Sequence, residues 1–132
     1  MENVKILCDT DVIIEYLKGN KATKDILNNL KNADITLSAI TLMELYYGAL
    51  NKRELNKIKK ALSEFSILPL NEEITEIAIN LVEKYSKSHT LKIPDALIAS
   101  TAICYDISLW TYNIRDFRFI ENLSLFKIPN KK

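Results

Sequence analysis

The apolar positions of this chain follow two rhythms. Val4-Lys5-Ile6-Leu7-Cys8, Ile35-Thr36-Leu37-Ser38, Ile67-Leu68-Pro69-Leu70 and Ile107-Ser108-Leu109-Trp110-Thr111 are short runs rich in β-favouring residues and read as strands. Between them the period lengthens to that of a helix. Val12, Ile13, Tyr16 and Leu17 form a stripe that Gly19-Asn20 ends, and a second amphipathic stretch runs from Ala22 to Lys31. Lys52 to Phe65 is a lysine-rich amphipathic helix, and Glu72 to Lys87 repeats the period through Ile74, Ile77, Ala78, Leu81, Val82 and Tyr85. The segment from Thr41 to Leu50 has so little polar circumference that burial is expected nearly all round, Tyr46 and Tyr47 included. Pro94 suits the opening of a further helix, through Tyr105, because its missing N–H costs nothing there. A last edge strand is expected from Leu123 to Ile128, closed by Pro129 and a basic tail. Strands separated by helices predict an α/β fold, a mainly parallel central sheet flanked by helices with right-handed crossovers.

Composition narrows the picture. With 132 residues, 48% of them hydrophobic, and only 2 Gly and 3 Pro, the chain reads as one domain over residues 1–132, without a linker or a repeat. Met1-Glu2-Asn3 lacks the basic start and apolar run of a signal peptide, and no stretch approaches the ~20 apolar residues of a membrane span, so a cytoplasmic protein is expected. Cys8 and Cys104 sit in apolar runs with no metal-ligand spacing and read as small core residues. A net charge of +1 neither advertises nor excludes a polyanionic partner. His89, in Lys87-Ser88-His89-Thr90, is the single histidine and reads as a loop residue. That inventory excludes a two-histidine ribonuclease, and no G-x-S-x-G elbow supports a serine hydrolase.

The candidate chemistry is acidic. Ligands of open parallel sheets bind beyond the carboxyl ends of the strands, and both Asp9 and the Thr111-to-Asp116 segment follow a strand directly. Asp95 falls in a first helical turn and shares a face with Ile98, Ala99 and Ala102, while Glu44 lies in a nearly apolar helix. Each acid has a purely structural explanation. Asp95 complements a helix dipole, Glu44 completes a Thr41-x-x-Glu44 capping box, Asp9 accepts backbone N–H groups, and Asp116 caps a turn begun by Asn113. If all converge, each pair ~4 Å apart repels by about 4 kcal/mol at an effective dielectric near 20, which a divalent cation, proton uptake or a partner's arginine must offset. Carboxylates with no matching Cys or His set suit Mg²⁺ or Mn²⁺ rather than Zn²⁺.

Four blocks in order, Asp9-Thr10-Asp11, Thr41-x-x-Glu44-Leu45-x-x-Gly48, Ile93-Pro94-Asp95-Ala96 through Ala102, and Thr111-Tyr112-Asn113-Ile114-Arg115-Asp116-Phe117, resemble the signature motifs of PIN-domain nucleases, and most of all those of VapC-type toxins. The resemblance covers nearly the whole chain. It implies a three-layer PIN-like fold and an acidic cluster of Asp9, Glu44, Asp95 and Asp116, with Asp9 and Asp95 as metal ligands and Thr10, Thr111 and Asn113 as supporting polar residues. Glu44 or Asp116 would serve as general base or hold a second ion. Asp11 stands where many relatives have Asn or Ser and is either a fifth ligand or a helix cap, of which the cap is the expectation.

The activity implied is metal-assisted hydrolysis of RNA phosphodiesters with Mg²⁺ or Mn²⁺. Implied partners are the RNA, a cognate VapB-type antitoxin that blocks the site with an arginine, and a second copy of the chain in a homodimer. Lys52, Arg53, Arg115 and Arg118 are candidates for a basic rim facing RNA. Two rivals remain: a noncatalytic binding module on the same fold, and a phosphoacceptor receiver domain, which resembles this chain in its acids but carries a lysine where Tyr112-Asn113 stands.

Overall fold

The computed structural model describes residues 4–30 and 33–128. The expected helix end at Lys31, and Pro129 with the basic tail, lie outside them. Among the described residues a four-stranded parallel sheet runs in the order β3-β2-β1-β4, with β1 Lys5–Cys8, β2 Asp34–Ser38, β3 Ser66–Leu68 and β4 Ser108–Trp110. β1 pairs with β2 through Ile6 and Ile35 and with β4 through Leu7 and Leu109. Six α-helices connect these strands: α1 Thr10–Leu17, α2 Lys21–Asn29, α3 Ala39–Tyr47, α4 Lys52–Ala61, α5 Glu72–His89 and α6 Ile93–Tyr105.

β1 is apolar on both faces because both are covered, the signature of an inner parallel strand. Leu7 and Leu109 face Ala78, Leu81 and Tyr85 of α5 and Ala96, Ala99 and Ala102 of α6. The alternate residues Ile6, Cys8 and Trp110 face the opposite way, onto Val12, Ile13, Leu37, Leu45 and Leu62. The predicted layered α/β architecture is thus the observed one. Chain order makes one position special: β1 leads away towards β2, whereas β4 returns on the other side of β1. The carboxyl ends of β1 and β4 therefore flank a topological switch point, where a crevice opens.

Several local expectations change for physical reasons. α3 begins at Ala39, not Thr41, because Ser38 Oγ accepts the Ile40 N–H and takes the capping role. One side of α3 is open to solvent, with Tyr47 93% and Met43 51% exposed, so the expected all-round burial and the placing of Tyr47 in the core do not hold. His89 belongs to the last turn of α5, its ring stacked on Phe119 at 4.3 Å. Cys8 is buried, but Cys104 is only partly so. The edge strand over 123–128 reduces to a bridge between Leu109 and Leu125, held by the Leu109 N–H on Ser124 O and the Phe126 N–H on Leu109 O.

α6 reaches the sheet closely because its inner face is small: Ala96, Ala99 and Ala102 are at most 1% exposed. Close approach sets where Asp95, at the start of this helix, stands relative to β1. Ala99→Leu is accordingly expected to cost roughly 1–3 kcal/mol of stability through overpacking, measured by urea unfolding; an unchanged midpoint would show that α6 has slack against the sheet.

Candidate active site

Asp9 leaves the end of β1 and is only 5% exposed. It is the N-cap of α1, its Oδ1 accepting the Thr10 N–H at 2.8 Å. Its other oxygen accepts the Thr111 hydroxyl, from the end of β4, also at 2.8 Å. Asp9 is therefore the helix cap, and Asp11, expected in that role, does something else. Asp11 turns towards the exit of β4, where its Oδ2 accepts the Tyr112 N–H at 3.2 Å and lies 3.5 Å from the Thr111 hydroxyl.

Glu44 and Thr41 do not form the expected capping box. Thr41, fully buried, lies with its Oγ1 3.0 Å from Thr10 Oγ1, and Thr10 donates its hydroxyl to Glu44 Oε1 at 2.8 Å. α3 thus delivers Glu44 to the start of α1, beside Asp9. Asp95 sits in the first turn of α6, behind Pro94. Asp116 ends the short 3₁₀ turn Ile114–Asp116, whose Asp116 N–H bonds to Asn113 O at 3.0 Å, so the turn begun at Asn113 is present, though capped by backbone and not by the carboxylate. Asn113 donates its N–H to Thr111 Oγ1 at 3.0 Å.

Electrostatics joins these groups. Burial, then the neighbouring charge of Asp11, pushes the Asp9 carboxyl up to about 7 from 3.8, against the lowering effect of the Thr111 and Thr10 hydrogen bonds. Burial also raises Asp95, to about 6, with the charges of Asp116, Glu44 and Asp11 adding to it and Lys92 opposing. Asp11 is raised by burial as well, partly offset by its backbone donors. The predicted acids therefore feel one another, and Asp11 belongs with them. Sequence reasoning had the signal for Asp11, its spacing of two from Asp9, but not the fold of β4 that turns it inward. The ion pairs among the described residues are Lys18–Glu15, Lys21–Asp25 and Lys84–Glu121, all at the surface and none involving these acids.

The donor set is all oxygen, carboxylates and hydroxyls, the chemistry of a hard divalent cation. Among the described residues no three acidic, histidine or cysteine side chains are drawn together tightly enough to form a ready-made cage. Carboxylate and hydroxyl oxygens suit an ion that binds through one or two carboxylates and keeps several waters, as Mg²⁺ does. A groove of about 660 Å³ is lined by Thr10 and Glu44 together with Ile14, Leu45, Ile58, Lys18 and Lys57.

The sign of the pH dependence follows. A carboxyl raised on folding favours the native state below its unfolded value near 4, and that stability is lost as pH rises through about 6 for Asp95 and about 7 for Asp9. Asp95→Asn removes one such group, so the metal-free variant is expected to gain stability over the unmodified protein as pH rises from about 4 through about 6, the difference levelling off above that. Thermal unfolding across that range checks this; a difference independent of pH would sever Asp95 from the acidic cluster.

Comparison with known proteins gives these features a lineage. The PIN domain family model matches residues 6–122. Ribonuclease VapC10 of Mycobacterium tuberculosis is 31% identical over 96% of this chain and 97% of its own length. Ribonuclease VapC1 of Rickettsia felis is 32% identical over 96% and 98%. Among solved structures, VapBC2 from Rickettsia felis bound to a promoter DNA fragment superposes with a TM-score of 0.82 at 29% identity, covering 93% of this chain and 98% of the other. FitAcB from Neisseria gonorrhoeae gives a TM-score of 0.73 at 31% identity over 92% and 96%. With that match spanning all but the ends, and the strand-end acids where the fold opens, this chain belongs to the VapC group of the PIN domain family.

Proposed function

We propose that the protein is a Mg²⁺- or Mn²⁺-dependent endoribonuclease that hydrolyses RNA phosphodiesters at the cluster of Asp9, Glu44, Asp95 and Asp116 and is restrained by a VapB-type antitoxin. The observation that carries this reading is Asp9: a carboxylate nearly removed from water, crowded by acids and without a basic partner in ion-pair contact among the described residues. Keeping such a group costs stability, and a cation recovers that cost only when bound. The relatives named ribonucleases support the reaction class.

Asp9 and Asp95 are the residues that would hold the ion, Asp9 being oriented by the Thr10 N–H and the Thr111 hydroxyl. A bound divalent cation supplies Lewis acidity towards the phosphodiester and lowers the pKa of water. The chain's own part is orientation and proton handling. Thr10 holds Glu44 towards the site, and Glu44 or Asp116 is the base that takes the proton of the attacking water. Exposed Arg115 and Arg118 flank Asp116 and give the phosphate backbone a basic edge, as Lys52 and Arg53 do at the start of α4. Attack by water with the 3′-oxygen as the leaving group gives 5′-phosphate and 3′-hydroxyl ends.

Toxin–antitoxin complexes among the similar structures support an antitoxin partner. The largely apolar groove that Thr10 and Glu44 help to line suits a peptide segment whose guanidinium meets a carboxylate. A homodimer belongs to the same reading, and Met43 and Tyr47, four residues apart and both exposed on α3, offer apolar surface to a second chain.

Incubated with a cellular RNA pool and Mg²⁺, the purified protein is expected to produce new 5′-phosphate ends, to stop doing so in EDTA, and to lose about 10²-fold or more in rate on Asp95→Asn without loss of metal-free stability. Cyclic-phosphate ends, EDTA-resistant cleavage, or an Asp95→Asn protein that is unstable yet fully active would overturn the proposal. RNA capture without cleavage would favour the binding-module reading.

A further inference from the structure

The loop that follows β4 carries Asn113 and Asp116, yet residues 112–116 are all exposed. The 3₁₀ turn is held by local backbone bonds, from Asp116 N–H to Asn113 O and from Phe117 and Arg118 N–H to Ile114 O, and by the Asn113 N–H on Thr111 Oγ1. A turn of this kind does not fix its own position. Its downstream end is anchored by Phe117, 1% exposed in the core beneath α5 and α6. Its upstream end is anchored by Tyr112.

Tyr112 is held from two directions. Its N–H donates to the Asp11 carboxylate at 3.2 Å, on α1. Its hydroxyl lies 2.6 Å from Thr23 Oγ1, on α2, and Thr23 is fully buried. The ring also meets Trp110 edge to face at 6.0 Å. Thr23 lies 89 positions away in sequence, on a helix that contributes no acid to the site. A tyrosine that merely filled space beside Trp110 would not need its hydroxyl there, nor would an otherwise apolar site on α2 need a buried threonine. Resting on the nuclease reading, we infer that Tyr112 is a positioning residue, a latch that ties the Asn113–Asp116 turn to α1 and α2 through Asp11 and Thr23 and so keeps Asp116 in register with Asp95.

Stability and positioning separate cleanly in one series. Tyr112→Phe keeps the ring but leaves the Thr23 hydroxyl buried and unpaired, so both Tm and turnover should fall. Thr23→Val added to it replaces both partners by apolar groups, which relieves the unpaired hydroxyl and should return Tm to the starting value. The latch stays broken, so kcat on RNA should remain down on the order of tenfold with KM changed by less than about twofold, and the Mn²⁺ affinity should stay weakened. Amide hydrogen exchange at residues 113–117 of the metal-free protein should be faster in both variants than in the unmodified chain.

Recovery of kcat and Mn²⁺ affinity together with Tm in the double variant would reduce Tyr112 to a structural residue. Unchanged exchange at 113–117 would overturn the latch outright. If the unmodified protein cleaves no RNA, the nuclease reading fails by itself, and the exchange measurement still decides whether Tyr112 holds the turn.

Discussion

A carboxylate that the fold keeps almost dry at the end of β1 is the constraint from which the rest of the structure follows. Asp9 cannot be moved towards solvent without losing the cap of α1, and it cannot lose its charge without weakening the hydrogen bond that Thr111 donates to it. Nothing basic among the described residues comes into ion-pair contact with it. Burial and Asp11 therefore both work against its ionised form, and the two hydrogen bonds oppose them only partly. A site of this kind disfavours its own negative charge, so positive charge brought to it is correspondingly favoured.

The scaffold around this site is apolar in its layers and hydrogen-bonded near the acids. Apolar side chains cover both faces of the sheet, and the small residues of α6 let that helix lie close. Polar groups near the site are paired with one another: Thr10 with Glu44 and Thr41, Thr111 with Asp9, Tyr112 with Asp11 and Thr23. The hydroxyls thus play the part of a rigid collar. They fix where the carboxylates stand without neutralising them, which leaves their charge available for a cation, a phosphodiester held by that cation, or an arginine from a partner chain.

The collar also distributes the site over the fold. Asp9 and Thr111 come from adjacent strands, Glu44 from the helix after β2, Asp95 from the helix that precedes β4, and Asp116 from a turn that depends on anchors at both ends. The rigidity of each contributor differs accordingly. Strand-end and helix-start residues are set by the sheet and its layers, whereas Asp116 relies on the loop being held from outside, which makes it the most adjustable acid of the group.

Much of this was legible without coordinates. Apolar and helical runs placed the strands and helices, since a doubly covered parallel strand has to be apolar throughout, and four spaced acid blocks marked the candidate positions at the strand ends and helix starts. Local patterns misled where a tertiary contact outbid a local one. Thr41 looked like a cap and became a neighbour of Thr10; Asp11 looked like a cap and became an acceptor for the loop after β4. The chain's own order of residues settles which elements form, because burial period and capping chemistry are local properties. Which side chains meet, how far Asp9 is dried, and what Tyr112 reaches were decided only by the folded arrangement, because those depend on strand order and on helices distant in sequence, and no local pattern encodes them.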